Sequence, residues 1–146
     1  MRIFATSDLH VDFRENRLFI EGLSKVEFCE DVLLVAGDIA HQFELIKTVL
    51  ELLRAKFGQV FYVPGNHELW VREEKGDSLD KFYRIIELCK QLDVQIPPGK
   101  AGDYWIVPLF SWYEEEFDIE NASAGAPLDG WGDFHFCAWP KHALPV

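Results

Sequence analysis

Three short apolar runs, each closed by a polar or glycine-containing turn, constrain this chain more than any other feature. They are Ile3-Phe4-Ala5, Val32-Leu33-Leu34-Val35-Ala36 and Val60-Phe61-Tyr62-Val63. Each has strand length and is rich in branched or aromatic residues. Being apolar on both faces rather than alternating, they suit interior strands of a sheet covered on both sides. Between the second and third runs, Phe43, Ile46, Leu50, Leu53 and Phe57 recur at spacings of three and four. That is one helical face, with Gly58 where a glycine after a helix end is expected. Leu79, Phe82, Ile86, Cys89 and Leu92 form a second stripe ending before Pro97-Pro98, and Leu18, Phe19 and Leu23 mark a shorter helix between Asp12 and Val26. Strand and helix alternate, which predicts an α/β fold of mostly parallel strands joined by helical crossovers.

Beyond Asp103 the pattern loosens. Tyr104 to Phe110 reads as one more strand, with Pro108 near its end. From 114 to 146 neither period holds, and Gly, Pro, Trp and Phe are interspersed. The expected organisation is therefore residues 1–113 as the N-terminal part of a domain and 114–146 as a loop-rich aromatic tail, an interrupted continuation of the same domain.

Composition removes several function classes. At 146 residues, 49% hydrophobic and 27% charged, the chain has ordinary globular values for one domain. Its net charge of −11 repels a nucleic-acid backbone, whose binding rests mainly on Lys and Arg. The run Glu114-Glu115-Glu116 reads as a solvated surface stretch. Cys29, Cys89 and Cys137 form no C-x-x-C pair, so neither a zinc knuckle nor a redox dithiol is indicated. No apolar run approaches the roughly 20 residues that span a bilayer, and no signal-like segment opens the chain. A soluble, cytoplasmic location is the expectation.

The chemistry lies in the residues just after each apolar run. The first run leads into Ser7-Asp8-Leu9-His10, the second into Gly37-Asp38-Ile39-Ala40-His41, and the third into Pro64-Gly65-Asn66-His67-Glu68. Ligand sites of open parallel sheets form at the carboxyl ends of the strands, so three strands deliver carboxylate, imidazole and amide groups to one rim. Asp8 and His10 are two apart and in an extended segment would point the same way. Gly37 and Gly65 allow sharp turns just before Asp38 and Asn66. Asp, His and an Asn carbonyl make a hard-to-borderline donor set, suited to Mn, Fe, Zn or Mg. Each residue alone has a bland reading: Asp38 as a helix N-cap, His10 and His67 as structural histidines, Gly65-Asn66 as a turn. Their joint occurrence after three strands favours the site.

D-x-H, G-D and G-N-H-[DE], in that order, resemble the calcineurin-like metallophosphoesterases. The resemblance implies a four-layer α/β sandwich of which this chain holds the first half, and a dinuclear metal centre. Asp8 and His10 would hold the first metal, Asp38 would bridge both, and Asn66 would give its side-chain oxygen to the second. His67 would contact the phosphate and protonate the leaving oxygen, a role worth about 10²–10⁴-fold in rate. Two cations roughly 3.5–4 Å apart would clamp the attacking and leaving oxygens. The family pattern continues with a further His and G-H-x-H, which are absent here; the later histidines are His135 and His142. The first metal then lacks one ligand and the second lacks two.

The reading is thus a metal-dependent phosphoester hydrolase by family, impaired in a truncated chain. The alternative is a non-catalytic phosphoesterase-like module that binds a protein partner, or associates with itself, over the face the missing half would cover. Gly37-Asp38-Ile39-Ala40-His41-Gln42-Phe43 departs from the G-D-x-V-D-R-G of protein Ser/Thr phosphatases in this superfamily, so that branch is not supported. Trp70, Trp105, Trp112, Trp131 and Trp139 read as core or interface aromatics, and Glu68 equally as a turn residue or as a partner to the ligands.

Overall fold

The computed structural model describes residues 1–72, 75–112 and 130–140; Glu114–Glu116 and His142 lie outside them. The three apolar runs form β1 (Ile3–Thr6), β2 (Val32–Ala36) and β3 (Gln59–Val63), parallel, with β2 in the middle. In register, Thr6 pairs with Val35 and Ala36 with Val63, so the carboxyl ends of all three strands stand level on one rim. The crossovers are α1 (Arg14–Gly22) and α2 (Phe43–Arg54), and α3 (Ser78–Gln91) comes after β3. Gln95 then adds a single parallel bridge to Phe61 on the outer edge of β3.

The faces of the sheet are unequal. Leu33, Val35, Val60 and Tyr62 meet Ile20 of α1, Ile46, Leu50 and Leu53 of α2, and Ile85, Leu88 and Cys89 of α3 in one buried core. The alternate residues Val32 and Phe61 pack with Ala101 in a small second core, flanked by Leu34 and Ile106. Ala101 and Ile106 come from an antiparallel hairpin, β4 (Gly99–Ala101) and β5 (Tyr104–Ile106). The strand expected over 104–110 is therefore only three residues long, and its partner is its own hairpin. Tyr104 and Trp105 are exposed, so Trp105 is not a core aromatic.

Two helix details depart from their stripes. Helix α2 stops at Arg54 with Ala55 as its cap, so Gly58 is not the capping glycine; it answers a different need, since a Cβ there would sit 2.6 Å from the Cys29 carbonyl oxygen. Helix α3 turns Ser78 and Lys81 inward alongside Ile85, Leu88 and Cys89. The Ser78 hydroxyl donates to the Leu69 carbonyl (2.7 Å), and Lys81 Nζ donates to the carbonyls of Trp70 (2.6 Å) and His41. Both polar groups secure loops at the functional rim. Asp77 and Asp80 close the start of α3 with a reciprocal capping box.

A short helix, α4 (Gly132–Phe136), lies within the segment left without periodicity. Backbone bonds attach it: Val71 N–H to Phe136 O and Ser78 N–H to Ala138 O, both 2.8 Å. Five residues are too few to write a 3.6-residue stripe, so α4 left no pattern in the sequence.

Candidate active site

The rim loops are bonded directly to one another. The amides of Asp8, His10 and Val11 donate to the carbonyls of Gly37, Asp38 and Ile39 at 3.2, 2.9 and 2.9 Å, which joins the two loops just past the ends of β1 and β2. Asp8, His10 and Asp38 have φ of +53°, +41° and +56°. This left-handed region is uncommon for residues with a Cβ, and such strain concentrates at functional sites. Asp8 and His10 do meet, with His10 Nε2 3.8 Å from Asp8 Oδ1, but through a kinked backbone rather than an extended one.

Glu68 ties the second loop to the third. Fully buried, its carboxylate accepts the backbone N–H groups of Asp38 (3.0 Å), Ile39 (2.6 Å) and Gly65 (2.8 Å). Burial pushes its pKa up to about 7, against the pull of those backbone donors. The Tyr62 hydroxyl, buried with no partner in bonding geometry among the described residues, is held well above its ordinary pKa by burial and by the neighbouring Glu68 charge. Asp38 is not the N-cap of α2; that position is Gln42. Its carboxylate instead accepts the His67 backbone N–H (3.1 Å), which fixes the third loop against the second.

Three of the expected residues converge most closely. Ligand atoms of His10, Asp38 and His67 all lie within 4.8 Å of one another, and the two imidazoles meet edge to face at 4.8 Å. Asp8 stands outside this trio, in contact with His10 and largely exposed. Asn66 lines an open cleft of about 630 Å³ together with Asp38, Gly65, Trp112, Trp131 and Asp133. The His67 ring stacks on Trp70 at 3.8 Å, and burial lowers its pKa, opposed by the Asp38 charge and reinforced by His10. His41 pairs with Asp12 at 3.1 Å, close to Trp70.

Two residues that contact the candidate site carry no motif of their own. Trp70 is the floor under His67 rather than a generic aromatic. Asp133, buried on α4, accepts both Asn66 Nδ2 (2.9 and 3.1 Å) and Trp70 Nε1 (2.6 Å). The available signal was a lone acid inside the aromatic stretch Trp131-Gly132-Asp133-Phe134-His135-Phe136, since a carboxylate among aromatic rings requires donors.

A profile of the calcineurin-like phosphoesterase family matches residues 1–140. The chain is 34% identical over 136 residues to the acyl-carrier-protein phosphodiesterase PptH of Mycobacterium tuberculosis (strain ATCC 25618 / H37Rv), covering 85% of this chain and 41% of that protein. It also superposes on the crystal structure of phosphopantetheinyl hydrolase (PptH) from Mycobacterium tuberculosis with a TM-score of 0.63 and 31% identity, over 74% of this chain and 42% of the other. This chain thus spans about two fifths of the length of the curated relative it matches. With three motif loops on one rim and a family profile running through all of them, the chain belongs to the calcineurin-like phosphoesterase family.

Proposed function

We propose that this chain carries the metal-binding and proton-donating part of a phosphodiester hydrolase. The observation behind this reading is the convergence of His10, Asp38 and His67, with Asp8 against His10. Among the described residues the Asp38 carboxylate accepts a single hydrogen bond, which leaves lone pairs for a cation. Imidazole nitrogens beside carboxylate oxygens suit a divalent ion of the Mn, Fe, Zn or Mg type. Asp8, His10 and Asp38 would hold one such ion. A second would find Asp38 and the Asn66 amide oxygen, two donors that hold it weakly, so slow turnover by this chain alone is expected.

A bound cation would supply Lewis-acid polarisation of the phosphoryl group and a lowered pKa for water. The protein's own part is orientation and proton supply. His67 is tied to Asp38 through its backbone amide and braced by Trp70, which aims the imidazole across the trio. Its lowered pKa makes the imidazolium a stronger acid, though a smaller fraction of it is protonated at neutral pH. The relative named as a phosphodiesterase of acyl carrier protein makes a phosphopantetheinyl diester the first substrate to try.

The test is hydrolysis of bis(p-nitrophenyl) phosphate and of phosphopantetheinylated acyl carrier protein by the Mn²⁺-loaded chain. Turnover that EDTA abolishes is expected, and His67→Ala lowers kcat by about 10²–10⁴-fold with Mn²⁺ affinity retained. A second reading makes His67 a ligand, as its place in the trio allows; H67A would then lose Mn²⁺ binding. Metal binding by the wild-type chain without turnover on either diester would instead favour a non-catalytic module, for which the exposed Leu109, Phe110 and Trp105 give a contact surface.

A further inference from the structure

The feature that the proposed chemistry leaves unused is the carboxylate of Asp133. It lies 67 residues after Asn66 in the chain, yet both of its oxygens accept from the same Asn66 Nδ2. A carboxamide has two ends of nearly equal shape and opposite chemistry: the NH₂ end donates only and the oxygen end accepts only. A carboxylate is acceptor-only, so it selects the NH₂ end and leaves the oxygen outside that pairing, at a cleft lined by Asn66, Asp38 and Asp133. Asp133 also accepts Trp70 Nε1 at 2.6 Å, and Trp70 stacks on His67. Its own position is secured by the backbone bonds of Val71 and Ser78 to residues 136 and 138, and by the Phe136 ring 4.9 Å from that of Trp70.

We propose that Asp133 is a positioning residue for the metal centre, which fixes the Asn66 amide so that its oxygen rather than its nitrogen is presented to a cation. The inference rests on Asn66 acting as a metal donor. Removing the acceptor lets the amide rotate, and half of its orientations then point hydrogens at the cation. Loss of a residue that orients a ligand typically weakens metal affinity about 10–100-fold.

The experiment is Mn²⁺ titration of the full chain, monitored by EPR of free Mn²⁺. Asp133→Leu, which removes both acceptor oxygens, should weaken binding about 10–100-fold. The same D133L change made in an N66D background should cost nothing relative to N66D alone, because a carboxylate at 66 offers oxygen at both ends and needs no orienting. A purely structural Asp133 predicts the same loss in both backgrounds, which overturns the inference. Should D133L fold poorly, the wild-type protein gives the second measurement: the Asn66 side-chain NH₂ resonances, assigned by their loss in N66D. Slow exchange of these hydrogens, preserved on adding diamagnetic Mg²⁺, is expected. Exchange at the free-amide rate overturns the inference. Wild-type binding with unchanged affinity in D133L removes Asp133 alone, whereas a wild-type chain that binds no Mn²⁺ removes the metal reading together with it.

Discussion

Gly65 has no room for a side chain. A Cβ there would overlap Asp38 Oδ1 and stand 2.8 Å from the Asp38 backbone nitrogen. At Gly37, φ is +78° and a Cβ would stand 2.7 Å from the Gly65 Cα. The second and third loops therefore touch backbone to backbone, and only this closeness lets Glu68 span both. Gly65→Ala is expected to push the Asp38 carboxylate aside, weakening Mn²⁺ binding by at least tenfold and destabilising the chain by about 1–3 kcal/mol. Isothermal titration and urea denaturation check the two parts. At this scale the donors were legible because motif chemistry is written in residue identity: Asp8, His10, Asp38, Asn66 and His67 all reach the rim. The left-handed backbone of Asp8, His10 and Asp38 was not, since neither Asp nor His signals positive φ as glycine does. Glu68 could not be assigned because its role depends on three backbone donors from two other loops. Asp133 sat in a segment without periodicity.

Helix α1 ends on a side chain from a distant part of the chain. Lys56, buried, donates from Nζ to the carbonyls of Ile20 (2.9 Å), Glu21 (2.7 Å) and Leu23 (2.6 Å). An ammonium at a helix C-terminus satisfies orphan carbonyls and opposes the negative end of the dipole. Burial lowers the Lys56 pKa, yet the three acceptors favour the charged form. Lys56→Met keeps the volume and removes the donors, and it should cost about 2 kcal/mol or more, read as a lower urea midpoint at unchanged slope. Periodicity found β1, β2, β3 and the long helices because their buried faces repeat. It misplaced the end of α2, since Gly58 answers a close approach to Cys29 and not a cap. It missed β4, whose three residues are too few to alternate.

At the scale of the whole molecule, an ion pair reinforces the amino end of the sheet. Arg2 gives Asp31 its backbone N–H (2.6 Å), Nε (2.9 Å) and Nη2 (2.6 Å), joining the start of β1 to the turn before β2. These bonds, led by the guanidinium, hold the Asp31 carboxyl below its ordinary pKa. A carboxyl depressed on folding adds stability that is fully present above the unfolded value of about 4 and is lost as pH falls through the folded value. Asp31→Asn should therefore lower stability at pH 7 and flatten its fall below pH 4, measured by urea denaturation from pH 2.5 to 7.

The bonds between the first and second loops have a consequence for time as well as shape. The amides of Asp8, His10 and Val11 lie beyond the strand, yet each is bonded to a backbone carbonyl. Protection against deuterium depends on bonding and local opening rather than distance from an element boundary. Residues 8–11 should accordingly exchange at rates close to those of β2, even without metal, and peptide-resolved mass spectrometry would show it. Fast exchange there would mean that the donors are assembled only on demand; slow exchange would mean that the chain waits for its ligand with the rim already formed.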